Sequence, residues 1–199
     1  MTRRLGWTVP SLADAYLAGG ARFIQIRSKH AGSGAFLEMC EDVVARGRAA
    51  GAIVIVNDRA DIAKLSAADG VHVGQDDLDP VSARTILGVG SIIGLSTHTT
   101  DQVRAAATID VDYIAVGPIF GTATKDTGYR DVGTAFVSEA AGIFRDAGRA
   151  MPIVAIGGIT VDRAPAVIGA GASAVAVISD LLSTGNPEAR VREYLRALS

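Results

Sequence analysis

With 199 residues, 49% of them hydrophobic, the chain is long enough to bury a core as one domain spanning residues 1–199. Nineteen basic against twenty-one acidic residues give a net charge of −2 with no basic run, which argues against a nucleic-acid or membrane surface and points to small-molecule partners. The apolar stretches are strand length, far short of a membrane span, and MTRRLGW lacks the apolar core of a signal peptide, so the expected location is cytoplasmic.

In chain order, Ser11 to Gly19 reads as a short helix stopped by Gly19-Gly20, Arg22 to Arg27 as a strand, and Ala35 to Ala50 as an amphipathic helix ended by Gly51. The single cysteine, Cys40, falls on one face of that helix with Phe36, Leu37, Val43 and Val44, the place of a core side chain rather than a nucleophile.

The stretch from Ile53 to Asp77 organises the rest. Two apolar runs, Ile53 to Val56 and Gly70 to Val73, each lead into an acid-bearing corner, Asn57-Asp58 and Gly74-Gln75-Asp76-Asp77. A β-branched run bounded by turn residues reads as a strand buried on both faces, and Arg59 to Ser66 between them has room for a short crossover helix. A strand, a crossover and a parallel neighbour open both corners at the same carboxyl edge, making Asp58 and Asp77 neighbours. Two readings of that pair stand: a site for a hard divalent cation shared with a phosphorylated substrate, or caps for the helices that follow.

Helix Val81 to Leu87, strand Ser91 to Leu95, helix Thr100 to Ala107 and strand Asp112 to Val116 come next. A long loop from Gly117 to Gly133 leads to helix Thr134 to Ala147 and strand Pro152 to Ile156. A helix up to Ile168, strand Ala172 to Ile178 and helix Pro187 to Leu198 close the chain. Inside a helix Pro165 costs about 3 kcal/mol; starting that helix with Asp162 as its cap puts the proline in the first turn, where no hydrogen bond is lost. Unbroken alternation of strand and helix predicts a parallel sheet with helices outside. Seven strands are readable, and the first ten residues hold no apolar run. A barrel built from this chain lacks its first strand, recruits residues 3 to 8 for it, or has it encoded upstream of Met1.

The carboxyl ends of these strands carry the polar inventory. Gln25, Arg27 and Lys29 alternate, so a continued strand puts an amide and two cations on one side. Alone they fit an exposed edge equally well; set opposite Asp58 and Asp77, they suit an anion that a metal also holds, such as a diphosphate. Ile156-Gly157-Gly158 and Val177-Ile178-Ser179 fit a phosphate cradle, because glycine admits backbone N–H groups and the next helix offers its positive end. The loop GPIFGTATK (117–125) has the length of a lid or of a disordered surface loop. His98 reads as a general base or as a structural histidine beside Ser96.

With these residues assembled, the chain resembles the thiamine-phosphate synthase family. The resemblance runs from about Ala18 to the C-terminus on QIRSK (25–29), VNDRADIA (56–63), ADGVHVGQDDL (68–78), GLSTHT (94–99), DYIAVGPIFGTATK (112–125), AIGGIT (155–160) and VAVISDL (175–181). It implies an α/β fold, the (β/α)8 TIM barrel, with the first strand missing or degenerate here. It also implies a transferase that joins 4-amino-2-methyl-5-hydroxymethylpyrimidine diphosphate to thiazole phosphate, giving thiamine phosphate and pyrophosphate. Carried over motif by motif, Gln25, Arg27, Lys29, Asn57, Ser96 and Lys125 hold the pyrimidine diphosphate, with Arg27, Ser96 and Lys125 as the catalytic set. Thr122, Thr124, Gly158, Ile178 and Ser179 hold the thiazole phosphate, and Asp58 and Asp77 bind Mg2+. The implied mechanism is dissociative, with the loop closing to keep water from the cation.

Three positions depart from the family pattern: Ser28 replaces an acidic residue, Gly121 replaces a proline, and the first strand has no counterpart. Two other readings of the same scaffold are a thiazole tautomerase, which shares the fold and phosphate cradle, and a catalytically silent barrel that binds phosphorylated ligands. Keeping Lys29, Asp58, Asp77 and Lys125 together favours the synthase. The oligomeric state is open from sequence.

Overall fold

A computed structural model of the chain describes residues 6–121 and 131–199. Helix α1 (Val9–Gly19) precedes the first strand, β1 (Phe23–Ile26), and strand and helix then alternate: α2 (Ser33–Ala49), β2 (Ile53–Asn57), α3 (Ala60–Leu65), β3 (Gly70–Val73), α4 (Pro80–Leu87), β4 (Ile92–Thr97). The second half continues with α5 (Thr100–Ala106), β5 (Tyr113–Val116), α6 (Gly133–Asp146), β6 (Ile153–Ile156), α7 (Ala164–Gly169) and β7 (Ala174–Ala176). A 3-10 turn, Asp180–Leu182, absent from the expected elements, comes before α8 (Pro187–Ala197).

The strands form one sheet in the order β1-β2-β3-β4-β5-β6-β7, every pair parallel. Strictly sequential order in a parallel sheet is the arrangement of a (β/α) barrel wall. Where eight strands were implied, seven are found, and among the described residues no pairing joins β7 to β1. Residues 6–8 form no strand; Thr8 is the N-cap of α1, in a capping box with Ser11. Instead, helices bridge the two ends of the sheet. α1 packs on α8; a Cβ on Gly19 would stand 2.7 Å from the Glu188 carbonyl oxygen and from Val191 Cβ, so the helices meet where α1 has no side chain.

Side chains on the outer face of the strands, among them Val54, Val56, Val71, Val73, Ile93 and Ile114, are buried under the helices. Cys40 lies in this layer, as expected; burial, with Glu41 adding to it, pushes its thiol up to about 12, so the thiolate is scarce at neutral pH. The inner face is closed at mid-sheet, where Tyr113 and Ala115 of β5 are 5% and 7% exposed, and open at β1, where Phe23 is 44% exposed. That gradient is what an incomplete barrel wall produces.

A repeated device sets strand register at the amino-terminal edge. Asp69, just before β3, accepts the Val54 N–H of β2 at 2.7 Å; Asp112, just before β5, accepts the Ile93 N–H of β4 at 2.7 Å; Ser173, just before β7, accepts the Ile153 N–H of β6 at 3.3 Å. Each bond satisfies a strand-opening donor that the ladder leaves unpaired and ties alternate strand pairs together. Pro165 sits in the first turn of α7, as expected, but the residue before that helix is Arg163 and not Asp162, since residues 161–163 form a separate turn. Among the described residues no helix is long and apolar enough to cross a membrane.

Asp69→Ala is expected to lower unfolding stability by about 1–3 kcal/mol through the orphaned Val54 N–H. Asp69→Asn, which keeps an acceptor oxygen, should lose clearly less; denaturant titration of both variants measures the difference.

Candidate functional site

The carboxyl edge of the sheet holds the chemistry, and β2 and β3 supply its centre. Asn57 pairs in register with His72, and the Asp58 N–H donates to the His72 carbonyl at 2.8 Å. Asp58 has φ 65, a left-handed conformation that costs an L-residue about 1–2 kcal/mol and is tolerated best by Asn and Asp. It turns the carboxylate toward β1, where Lys29 Nζ meets Asp58 Oδ2 at 2.8 Å. Both partners are partly exposed, so the pair is worth little to stability; a strained backbone spent on a weak ion pair marks a position held for binding.

The helix-capping reading of the two acids does not survive. Arg59, not Asp58, precedes α3, and no side chain caps that helix. Asp79, not Asp77, caps α4, accepting the Val81 and Ser82 N–H groups at 3.0 Å. Asp77 accepts the Gly74 N–H at 2.8 Å, which folds the β3–α4 corner back on itself. Gln75 in the same corner donates to the Ser96 carbonyl at 2.6 Å and anchors the end of β4. Among the described residues, no group of three or more His, Cys, Asp and Glu side chains is gathered for a metal.

β1 stops at Ile26, so Arg27 and Lys29 extend from a loop and not from the continued strand expected. Gln25 does lie on the inner face: it pairs with Ile55, two residues before Asn57. Ser96 is on the same face, two residues beyond Gly94, the partner of His72. His98 lies two residues beyond Ser96, just past the end of β4. Its Nδ1 contacts the Gly117 carbonyl at 2.5 Å and its backbone N–H donates to Gln102, which fits a structural histidine bracing the ends of β4 and β5.

The histidine that does touch Ser96 is His72, which sequence reading left in the strand core. His72 is buried; its Nε2 is 2.8 Å from Ser96 Oγ and its Nδ1 2.9 Å from the Tyr113 hydroxyl. The two rings stack, and Phe23 meets Tyr113 edge-on at 5.5 Å between centroids. Gly94 makes this possible, since a Cβ there would lie 2.1 Å from Tyr113 Cζ. Burial raises the Tyr113 phenol well above its ordinary value; a hydrogen bond from Gln25 works the other way.

On the far side of the edge, Gly157 and Gly158 have φ 103 and 61. A Cβ on Gly158 would come within 2.6 Å of the Gly121 carbonyl oxygen, and the Ile119 and Phe120 N–H groups donate to Ile156 and Gly157 carbonyls. The end of β6 is thereby laced to the start of the following loop of β5. α7 begins only at Ala164, so the amides of Gly158 belong to a turn and not, as expected, to a helix terminus. Ile178 and Ser179 follow β7 after Val177 and lead into the 3-10 turn.

α8 holds both corners from behind. Tyr194 donates toward the Ile159 carbonyl at 3.1 Å and Asp180 Oδ2 at 2.6 Å, and Arg190 pairs with the same Asp180 at 2.8 Å. Sequence reading saw α8 only as a closing helix; the spacing of Arg190 and Tyr194, one turn apart, was the available signal. Arg163, also unforeseen, donates to the Gly158 carbonyl at 3.3 Å and lies 4.8 Å over the Phe120 ring. Thr122, Thr124 and Lys125 lie outside the described residues.

An all-parallel sheet in sequential order, with carboxylates, cations and a glycine turn collected at its carboxyl edge, defines an α/β enzyme of the barrel type. A family model described as thiamine monophosphate synthase matches residues 3–181. A thiamine-phosphate synthase from Chlorobium luteolum is 41% identical over 183 residues, 92% of this chain and 84% of that protein. One from Anaeromyxobacter dehalogenans is 44% identical over 181 residues, 89% of this chain and 77% of that protein. The solved thiamine phosphate pyrophosphorylase from Pyrococcus furiosus superposes with a TM-score of 0.87 at 29% identity, covering 99% of this chain and 92% of its own. The chain belongs to the thiamine monophosphate synthase family.

Gly158→Ala is expected to disturb the cradle, through both its positive φ and the Gly121 carbonyl, and to weaken binding of a phosphorylated ligand about tenfold or more. Isothermal titration of the variant against the parent measures the loss.

Proposed function

We propose that the protein is a thiamine-phosphate synthase, a transferase that condenses 4-amino-2-methyl-5-hydroxymethylpyrimidine diphosphate with thiazole phosphate and releases pyrophosphate. The observation that carries this reading is the Lys29–Asp58 pair: a cation from the loop after β1 and a carboxylate just past β2, the latter held by strained backbone at the mouth, where neither caps a helix.

In this reading Gln25 and Asn57, on the inner face, orient the pyrimidine, while Arg27, Lys29, Ser96 and Lys125 meet the diphosphate. Asp58 and Asp77 fit Mg2+, being two hard oxygen donors from neighbouring strand ends. An ionised carboxylate offers roughly four acceptor positions, so the contact each makes here leaves room for a cation. Mg2+ supplies positive charge against the leaving diphosphate.

The remaining work falls to the chain. Cations from the β1 loop and Lys125 stabilise charge as the carbon–oxygen bond to the diphosphate breaks and its electron pair leaves with the diphosphate; such stabilisation is usually the largest catalytic term. The thiazole nitrogen then donates its lone pair to the pyrimidine methylene carbon and forms the new carbon–nitrogen bond. Thr122, Thr124, Gly158 and the amides of Ile178 and Ser179 hold the thiazole phosphate beside it. No protein nucleophile is required, which agrees with Cys40 lying in the core.

The parent protein should release pyrophosphate and form thiamine phosphate from the two substrates only when Mg2+ is present. Asp58→Asn, which suits the left-handed backbone while removing the charge, should lower kcat/KM by about 100-fold or more and raise the Mg2+ requirement. Lys125→Ala should lower it comparably. Coupled pyrophosphate release measures all three; parent-like rates in either variant place the site elsewhere, and isomerisation of a thiazole phosphate without pyrophosphate release favours the tautomerase.

A further inference from the structure

Ser96, one of the residues expected at the pyrimidine diphosphate, is reached from the interior by hydrogen bonds through two buried side chains. Tyr113 contacts His72 Nδ1 at 2.9 Å, and His72 Nε2 contacts Ser96 Oγ at 2.8 Å. Neither His72 nor Tyr113 belongs to the expected site, and both are buried.

The chain has a direction. His72 Nδ1, at 2.9 Å, is the hydrogen-bond partner of the Tyr113 hydroxyl, so a phenol that accepted there would bury its own O–H unpaired. Burial keeps the phenol protonated, so its own O–H is the donor toward His72 Nδ1. An imidazole that accepts at Nδ1 carries its proton at Nε2 and donates it to Ser96 Oγ. A hydroxyl that accepts this bond keeps its own hydrogen for the mouth, where an anion needs a donor. A different arrangement of the same protons would offer the diphosphate the lone pairs of Ser96, which repel it.

We propose that His72 and Tyr113 are positioning residues that hold the Ser96 hydroxyl as a hydrogen-bond donor toward the diphosphate of the substrate, a role that rests on the synthase reading above. Gly94 is part of the device, since any side chain there would push the Tyr113 ring away from His72. His98 provides an internal contrast: its Nδ1 faces the Gly117 carbonyl, so it must carry its proton on the opposite nitrogen from His72.

Long-range nitrogen–proton spectra of the labelled, substrate-free parent read the tautomers directly, with His72→Gln and His30→Gln together assigning the signals of the three histidines. The expected result is neutral His72 with its proton on Nε2 and His98 with its proton on Nδ1; a His72 protonated on Nδ1, or on both nitrogens at neutral pH, overturns the proposal. Tyr113→Phe keeps the ring and removes only the hydroxyl. It should lower kcat/KM for the pyrimidine diphosphate by about tenfold or more, leave KM for the thiazole phosphate near the parent value, leave Tm within a few degrees, and shift the His72 tautomer. His72→Gln, which retains a donor toward Ser96, should keep more activity than His72→Leu. If the parent forms thiamine phosphate and Tyr113→Phe and His72→Leu match it, the relay has no role. A parent that forms none removes the synthase reading and this role with it, whatever the tautomers are.

Discussion

A parallel strand pair is held in register only as well as its ends are fastened, and β2 and β3 are fastened at both. Below, Asp69 takes the Val54 N–H; above, the Asp58 N–H reaches the His72 carbonyl. Because side chains alternate with period two, a slip of one residue between the two strands would leave Asn57 and His72 on opposite faces of the sheet. It would also withdraw Asp58 from Lys29 and His72 from Ser96. The relay and the ion pair at the mouth are therefore consequences of one register.

The two edges of the sheet divide the labour. At the amino-terminal edge, Asp69, Asp112 and Ser173 close unpaired strand donors, a purely structural use of polar side chains. At the carboxyl edge, residues of the same types are left facing the mouth. α8 serves both purposes: it packs against α1 across the gap between β7 and β1, and through Arg190 and Tyr194 it braces the turns carrying Gly158 and Ser179. Closure by helices instead of a strand leaves Phe23 and Ile53 partly exposed on the inner face. The stacked His72 and Tyr113 rings fill the interior beside them, and Phe23 meets the Tyr113 ring edge-on.

Local pattern made most of the fold legible. Gly70 to Val73 was bounded to the residue, and the other elements common to both differ by a few residues at their ends, because β-branched runs and helical periodicity act within a single segment. Strand ends were harder. β1 stops one residue early and β7 shrinks to Ala174–Ala176, since a strand lasts only as long as its neighbour pairs with it. The choice between Asp162 and Arg163 before α7, or between Asp77 and Asp79 as the α4 cap, turned on backbone angles that composition does not encode.

The order of elements, the parallel sheet, the polar strand ends and the family motifs were determined by the sequence alone, because each depends on residues that are neighbours in the chain. Tertiary structure decided which histidine meets Ser96, which acid meets Lys29, and that helices span the open side of the sheet. Those outcomes depend on inter-strand register and on the space left by Gly94 and Gly19. Register and vacant space arise only when distant segments are packed together, so no reading along the chain contains them.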